Sequence, residues 1–402
     1  MRLLTLLLLP SVVFAADINA NSCSQADVST ALTSATTGDR ILVPAGTCTW
    51  SNLSISKAVH LKGAGIDVTV ITVSENTITK QAAGIIRITD FTFTKSNGGN
   101  VSKAFVVNGS WTGAEPVIFA NNKVTINDSG FFLLDVPGGV IIANNDFQAQ
   151  WDDSVIQLKA TNSQGSWETD DTFGVKDVNG KLNHYIETNT FYGGANQAID
   201  CDDNTRCVYR YNAATYSSFN SHGYATSPAG ARHFEIYNNQ FLHLGGSTQI
   251  ANQNISIWLR GATGFIYNNY FDDIAGSYWG DKEELRFTIR GAEDARPQGS
   301  CASVSYPVPR QIGQNHNGTA YFTDPIRWYN NTGTLAISAD WNWGNPCGLT
   351  FSDFWQAGRD YIIGSAKPGY VAYTYPHPLL GQEQGPSQRR WRGVKLHGVK
   401  IR

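Results

Sequence analysis

Along most of this chain, short runs of β-branched and aromatic residues alternate with polar ones, and helical spacing is rare. The stretch 232–271 shows the pattern most clearly, as RHFEIYNNQF, a loop, then ISIWLRGATGFIYNNYF. Each half is a short strand-like run, then Asn-Asn, then an aromatic residue two positions on. With the second Asn as marker, the device recurs at Asn122, Asn145, Asn189, Asn212, Asn239, Asn269 and Asn331. The intervals are 23, 44, 23, 27, 30 and 62 residues. The second and last are doubled periods, so one unit takes about 22–31 residues, the length of a solenoid coil. A single coil cannot bury its own apolar side, whereas stacked coils bury a continuous one. Asn suits the corner because it tolerates left-handed backbone and bonds neighbouring backbone groups.

Alignment on the marker separates inside from outside. Three positions before it stand Phe119, Ile142, Ile186, Tyr209, Ile236, Ile266 and Trp328, and two positions after it Val124, Phe147, Phe191, Ala214, Phe241, Phe271 and Gly333. These columns are the expected interior. Ala120, Ala143, Glu187, Arg210, Tyr237, Tyr267 and Tyr329, two positions before the marker, alternate with them and face out. The coil pattern over roughly 38–380, with the closing phrase KPGYVAYTYPHPL, resembles the pectate-lyase-like superfamily. That resemblance implies an all-β fold, a right-handed parallel β-helix.

The ends read differently. Residues 1–15 carry one Arg, a leucine-rich run and Val13 and Ala15 before an expected cut, the marks of a secretory signal peptide. Residues 16–402 then form one domain, because the repeat runs on without a linker. Within it, 24–36 predicts a helix with Ser24 as N-cap, Asp27 in the first turn and Val28, Ala31, Leu32 and Ala35 on one face. Such a helix would cover the open end of the solenoid. Two excursions, 161–183 and 292–325, interrupt the period and are expected to wall a groove. The segment FSDFWQAGRDYII reads as a short helix and strand. The basic residues 381–402 read as a terminal strand along the coils, with a polyanion-binding tail as the alternative.

Composition sharpens this picture. Charged residues make up 16%, glycines number 39 and the formal charge is −3, so nothing marks the chain for nucleic acid. No later segment is apolar enough to span a membrane. Six cysteines in an exported chain predict disulfides, paired by position as Cys23–Cys48, Cys201–Cys207 and Cys301–Cys347. A secreted monomer, extracellular or periplasmic, is the expectation.

Candidate chemistry lies on a second set of strands, SVIQLKA, QAIDCDD, FNSHGY, ISIWLRG and LRFTIRG. Alternation buries Ile255, Ile257 and Leu259 and exposes Ser256, Trp258 and Arg260; likewise it buries Phe287 and Ile289 and exposes Arg286, Thr288 and Arg290. Arg260 and Arg290, 30 residues apart and each followed by Gly, are expected to stack on adjacent coils. Lys159, Asp200, Asp202 and His222 fall in comparable places on the same face. Adjacent arginines repel unless an anion lies between them. Asp202, Asp203, Arg206 and Arg232 could make the strip a structural salt-bridge ladder. A site for an extended anionic polysaccharide is the functional reading, with Trp258 offering a sugar-stacking face.

β-Elimination beside a uronate fits such a strip, since the carboxylate must be neutralised before the C5 proton can leave. The pectate-lyase-like resemblance implies Arg, Lys or His in these roles, often with Ca²⁺. His222 is the candidate for proton transfer, with an ordinary pKa near neutrality. Arg260 and Arg290 are expected to hold the carboxylate, with Lys159 as the alternative base and Trp258, Arg286, Arg232, Asp200, Asp202 and Asp203 lining the substrate. The order TDD, DD, SHG, LRG also resembles polygalacturonase hydrolases, though Ser221 stands where Gly precedes their His. A third reading is non-catalytic, an adhesin-type or structural β-helix. The tyrosine column Tyr237, Tyr267, Tyr329 would then bind glycan or simply stiffen the sheet. His377 and His316 read as core or turn residues.

Overall fold

The computed structural model describes residues 15–95, 103–110, 113–127, 130–149, 154–160, 173–193, 197–221, 230–243, 255–273, 284–288, 312–333, 336–340, 352 and 355–383, with backbone alone for 243, 255, 273, 284–288, 336–340 and 382–383. Among these residues three parallel sheets wind around one core. Sheet 1 has twelve strands, and sheets 2 and 3 have ten each. A coil runs through them in order, for example Val140–Ala143 in sheet 1, Asp146–Ala149 in sheet 2 and Ser154–Leu158 in sheet 3. The next coil re-enters sheet 1 at His184–Glu187, paired in register with Val140–Ala143. This is a parallel β-helix. One antiparallel hairpin, Gln314–His316 with Tyr321–Thr323, stands outside the coils.

The expected interior columns are buried, and their sizes compensate. In sheet 2 the rings of Phe147 and Phe191 stack at 5.0 Å, and those of Phe241 and Phe271 at 5.1 Å. Ala214 breaks this stack between them. The gap is filled from sheet 1 by Tyr209, whose ring lies 6.0 Å from Phe191 and 6.2 Å from Phe241. The large residue has moved across the core, which conserves volume.

The marker asparagines form a continuous buried ladder. Asn145, Asn189, Asn212, Asn239, Asn269 and Asn331 each accept, through Oδ1, the backbone N–H and the side-chain amide of the marker one coil earlier, at 2.9–3.2 Å. Each Nδ2 also donates to a backbone carbonyl, as Asn212 does to Ile186 at 2.9 Å. The left-handed position, however, is the residue before the marker: Asn121, Asn144, Thr188, Tyr211, Asn238, Asn268 and Asn330, with φ of 54–58°. The marker is chosen for its amide. At Thr188 and Tyr211 bulky residues accept the left-handed strain.

At the N-terminus the helix Gln25–Ser34 is capped by Ser24, whose side chain accepts from Asp27 N. Its Val28, Ala31 and Leu32 join the main core, and Trp50 donates to Cys23 O at 2.9 Å. The disulfides Cys23–Cys48 and Cys201–Cys207 are formed. Cys301 and Cys347 lie outside the described residues, as does the basic tail from 384 onward. Of FSDFWQAGRDYII, the strand forms at Tyr361–Ile363 and only Ser352 is helical among the described residues.

The described part of the first excursion, 173–183, folds back over sheet 1. Gly174 there donates to the buried Glu235 at 2.8 Å, and its left-handed backbone lies so close to Val371 O that a Cβ would meet it at 2.1 Å. Beside it the segment 367–380 lies as a strap across the same face. Consequently Tyr237 and Tyr267 point outward from the coil yet are buried, with relative exposures of 1% and 6%. They form a stacked ladder with Tyr329, at 4.7 and 4.8 Å, and Tyr267 meets the strap through the hydroxyl of Tyr370 at 3.2 Å. The tyrosine column is therefore structural rather than a glycan platform. His377 and His316 are buried, as expected of core or turn residues.

Candidate functional site

The strand registers of sheet 3 decide which candidates meet. Gln157 pairs with Asp200, Asp200 with Asn220, Asn220 with Trp258, and Trp258 with Arg286. Inward neighbours Leu158, Cys201 and Leu259 are buried in the core, so period-2 alternation places this row on the outer face. One residue further along, Asp202 N donates to Leu158 O at 2.9 Å and Arg260 N to Ser221 O at 3.0 Å. Lys159, Asp202 and Arg260 thus leave the sheet along one edge, where the chain turns toward sheet 1.

At this edge Lys159 Nζ stands 3.9 Å from both Asp202 Oδ2 and Asp203 Oδ2. The ammonium is about one-third exposed whereas both carboxylates are nearly closed off. Asp202 Oδ1 also accepts from Asp203 N at 2.8 Å. On the outer face Asp200 Oδ1 accepts from Asn220 Nδ2 at 2.9 Å. The Arg260 guanidinium lies 5.0 Å from the centre of the Trp258 ring, a cation–π contact beneath a half-buried indole.

Several expectations change here. Arg260 and Ser256 were expected to be exposed, but they retain only 3% and 2% of their accessible surface. An outward-pointing side chain remains exposed only where no other chain crosses it. The last register pair of the two strands at this edge is Leu259 with Phe287, so the expected stacking of Arg260 on Arg290 falls outside the described residues. Arg232 does not join the strip: it is fully buried and donates to Asn315 Oδ1 at 2.7 Å and His316 O at 3.0 Å. His222 and Arg290 lie outside the described residues, and Arg286 is described by its backbone alone. The structure thus joins Lys159 to Asp202 and Asp203, and Trp258 to Arg260.

Two buried groupings were not foreseen. Asn220 occupies the row between Asp200 and Trp258 and is fully buried. On the opposite sheet, Glu187 and Arg210 form a buried ion pair. Their signal was present, since opposite charges stand in one column on neighbouring coils.

For Ca²⁺, which the resemblance implies, the described residues supply no ready cage. Among the described residues no three His, Cys, Asp or Glu side chains converge to hold a metal ion. The Lys159 ammonium stands where a cation would bridge Asp202 and Asp203. Among the described residues no helix is long and apolar enough to cross a membrane.

No protein-family model and no curated protein matches this chain. Among solved structures it is similar to a mutant of AlyGC, an alginate lyase of family PL6. The identity is 15%, over 89% of this chain and 53% of that one, with a TM-score of 0.27. This chain spans about half the length of that protein. The parallel β-helix described above rests on the chain's own strand pairing.

Proposed function

We propose that this protein is exported and acts on an extended acidic polysaccharide by β-elimination along the outer face of sheet 3. One observation carries the reading: a partly exposed lysine and an arginine-backed tryptophan on the same strip of a regular parallel sheet. A long straight face suits a polymer, an indole suits a sugar ring, and cations suit a uronate. The cysteine pairs and the leader-like N-terminus support export.

In this reading Trp258 stacks on a sugar ring and Arg260, beneath it, fixes the indole and adds positive potential. Lys159 and Arg260 offset the charge of the substrate carboxylate, which acidifies the proton at C5. A base takes that proton: His222 while Lys159 stays an ammonium, or Lys159 in its neutral form with Arg260 alone offsetting the charge. The C–H electron pair becomes the C4=C5 double bond, the C4–O bond breaks, and the leaving oxygen takes up a proton. Asp202 and Asp203 hold Lys159 in place.

The test is a panel of acidic and neutral polysaccharides, followed for the ultraviolet absorbance of the new double bond and for reducing ends. We expect both signals to rise with a polyuronate and neither with a neutral glycan. Trp258→Ala should weaken substrate use, and Lys159→Ala should lower turnover on the order of 10²–10³-fold if that ammonium is an essential electrostatic stabiliser. Reducing ends without the double bond would replace the lyase reading by a hydrolase. Binding without new ends would make it a binding module.

A further inference from the structure

The outer face of sheet 3 changes character at Lys159. Down the stack from Gln157, the strands Phe132–Leu134, Phe105–Asn108 and Asn76–Thr79 bring Leu133, Val106 and Thr77 into one row, paired in register. Leu158, Leu134, Val107 and Ile78 alternate with this row and are fully buried, so the row points outward. Solvent reaches it, since Gln157, Leu133, Val106 and Thr77 are all partly exposed. Along the adjoining edge, Thr79 pairs with Asn108, Asp135 N donates to Val107 O at 2.8 Å and Lys159 N to Leu134 O at 3.0 Å. The coils before Lys159 thus present two aliphatic side chains, two hydroxyls, one amide and one carboxylate at these positions, and no cation. A sugar carboxylate laid over Leu133 and Val106 would exchange water for aliphatic surface without a compensating charge. Asp135 beside them would repel it.

We propose that this face reads charge by position, taking a uronate at Lys159 and an uncharged sugar residue in the adjoining place over Leu133 and Val106. This inference rests on the polysaccharide reading above and narrows its substrate to a polymer that mixes charged and uncharged residues. Strands lie about 4.8 Å apart, close to the advance of one residue in an extended sugar chain, so neighbouring sugars meet neighbouring coils. The uncharged residue is a neutral sugar or a uronate masked as its methyl ester. Both lack the charge that Leu133 cannot offset, and both present C–H groups that suit an aliphatic surface. Leu133 and Val106 are the specificity-determining residues.

The experiment compares kcat/KM of wild type and Leu133→Lys on polygalacturonate and alginate, each fully charged and partly methyl-esterified, and on a rhamnogalacturonan backbone, in which neutral sugars alternate with uronates. We expect wild type to use a partly esterified or the alternating polymer better than its fully charged counterpart. Which of the two it favours tells a masked uronate from a neutral sugar. In Leu133→Lys that preference should fall about two- to fivefold, the worth of an exposed ion pair, because the new ammonium accommodates a carboxylate. The preference is a ratio within one protein, so a smaller folded fraction does not move it. Val106→Lys decides if Leu133→Lys fails to fold. A wild type that favours the fully charged polymers, or a preference unchanged in the folded lysine variant, would overturn the proposal and leave the polysaccharide reading standing. A folded wild type that turns over none of these polymers would remove both.

Discussion

Arg210 and Glu187 face each other on neighbouring strands of sheet 1, both fully buried, with Nε 2.7 Å from Oε2. The guanidinium also donates to Tyr237 Oη at 2.9 Å, Tyr373 O at 3.1 Å and Thr374 O at 3.0 Å. The other carboxylate oxygen accepts from His377 N at 2.8 Å. One ion pair therefore ties two coils to the strap. Removing one partner leaves a buried charge, so Arg210→Ala should destabilise by about 3–5 kcal/mol. Urea unfolding gives the magnitude, and limited proteolysis should cut the variant earliest within 367–380. Unchanged stability would mean that the strap contributes little.

The asparagine ladder predicts a comparable loss from a neutral residue. Asn212→Ala removes the oxygen that serves Asn189 N and Nδ2, and the amide that serves Ile186 O and Asn239. Each buried group left unmatched costs about 1–3 kcal/mol. The loss should thus exceed that of an exposed Asn→Ala change such as Asn21→Ala by several-fold. Equal shifts in Tm for the two variants would count against the ladder as a source of stability.

Tyr209 predicts the opposite sign. Its hydroxyl is buried in the core without a hydrogen-bond partner, and burial pushes its pKa well above the usual tyrosine range. The ring is needed beside Ala214, but the oxygen is not. Tyr209→Phe should hold or raise the Tm, while Tyr209→Ala should cost about 3–5 kcal/mol through the cavity it leaves. A clear drop in the Tyr209→Phe variant would show that the hydroxyl has a stabilising partner.

Acid should loosen the protein before its carboxylates are protonated. Burial lowers the pKa of His184 to about 3, and burial with the nearby Arg210 charge lowers that of His377 to about 4. Unfolded histidines titrate near 6.5, so this stabilisation is complete above that pH and is lost as pH falls towards the folded values. At pH 5 each residue should have lost on the order of 2 kcal/mol. Denaturant midpoints across pH 8 to 5 should fall, and His377→Gln should flatten part of the slope. A flat wild-type profile over that range would refute the prediction.

The fold was legible because a repeat states the same rule many times. Phe119, Ile142, Ile186 and Ile236 could be assigned to the interior from their column alone, and all four are buried. The site was less legible, for two physical reasons. Alternation tells which way Arg260 or Tyr267 points, but non-repeating chain decides whether solvent reaches it. The interval between like motifs also need not equal the stacking offset. The pairing of Ile255 with Glu284 and of Trp258 with Arg286 shifts the offset from 29 to 28 residues across a local irregularity.

The ladder of asparagines has one further consequence. Each marker offers its oxygen to the coil before it and its amide to the coil after it, so every internal rung presents the same two joints. A coil is therefore interchangeable at its corner. Excising 190–212, one full turn between markers, would bring Asn189 directly against Asn239 with the same donors and acceptors. Chain length in such a protein can change by whole turns through duplication or loss, with rewriting needed only where other contacts tie the neighbours, as Arg210 within this turn is tied to Glu187 outside it. The corner thus supplies both the glue of the fold and the grammar by which it can lengthen.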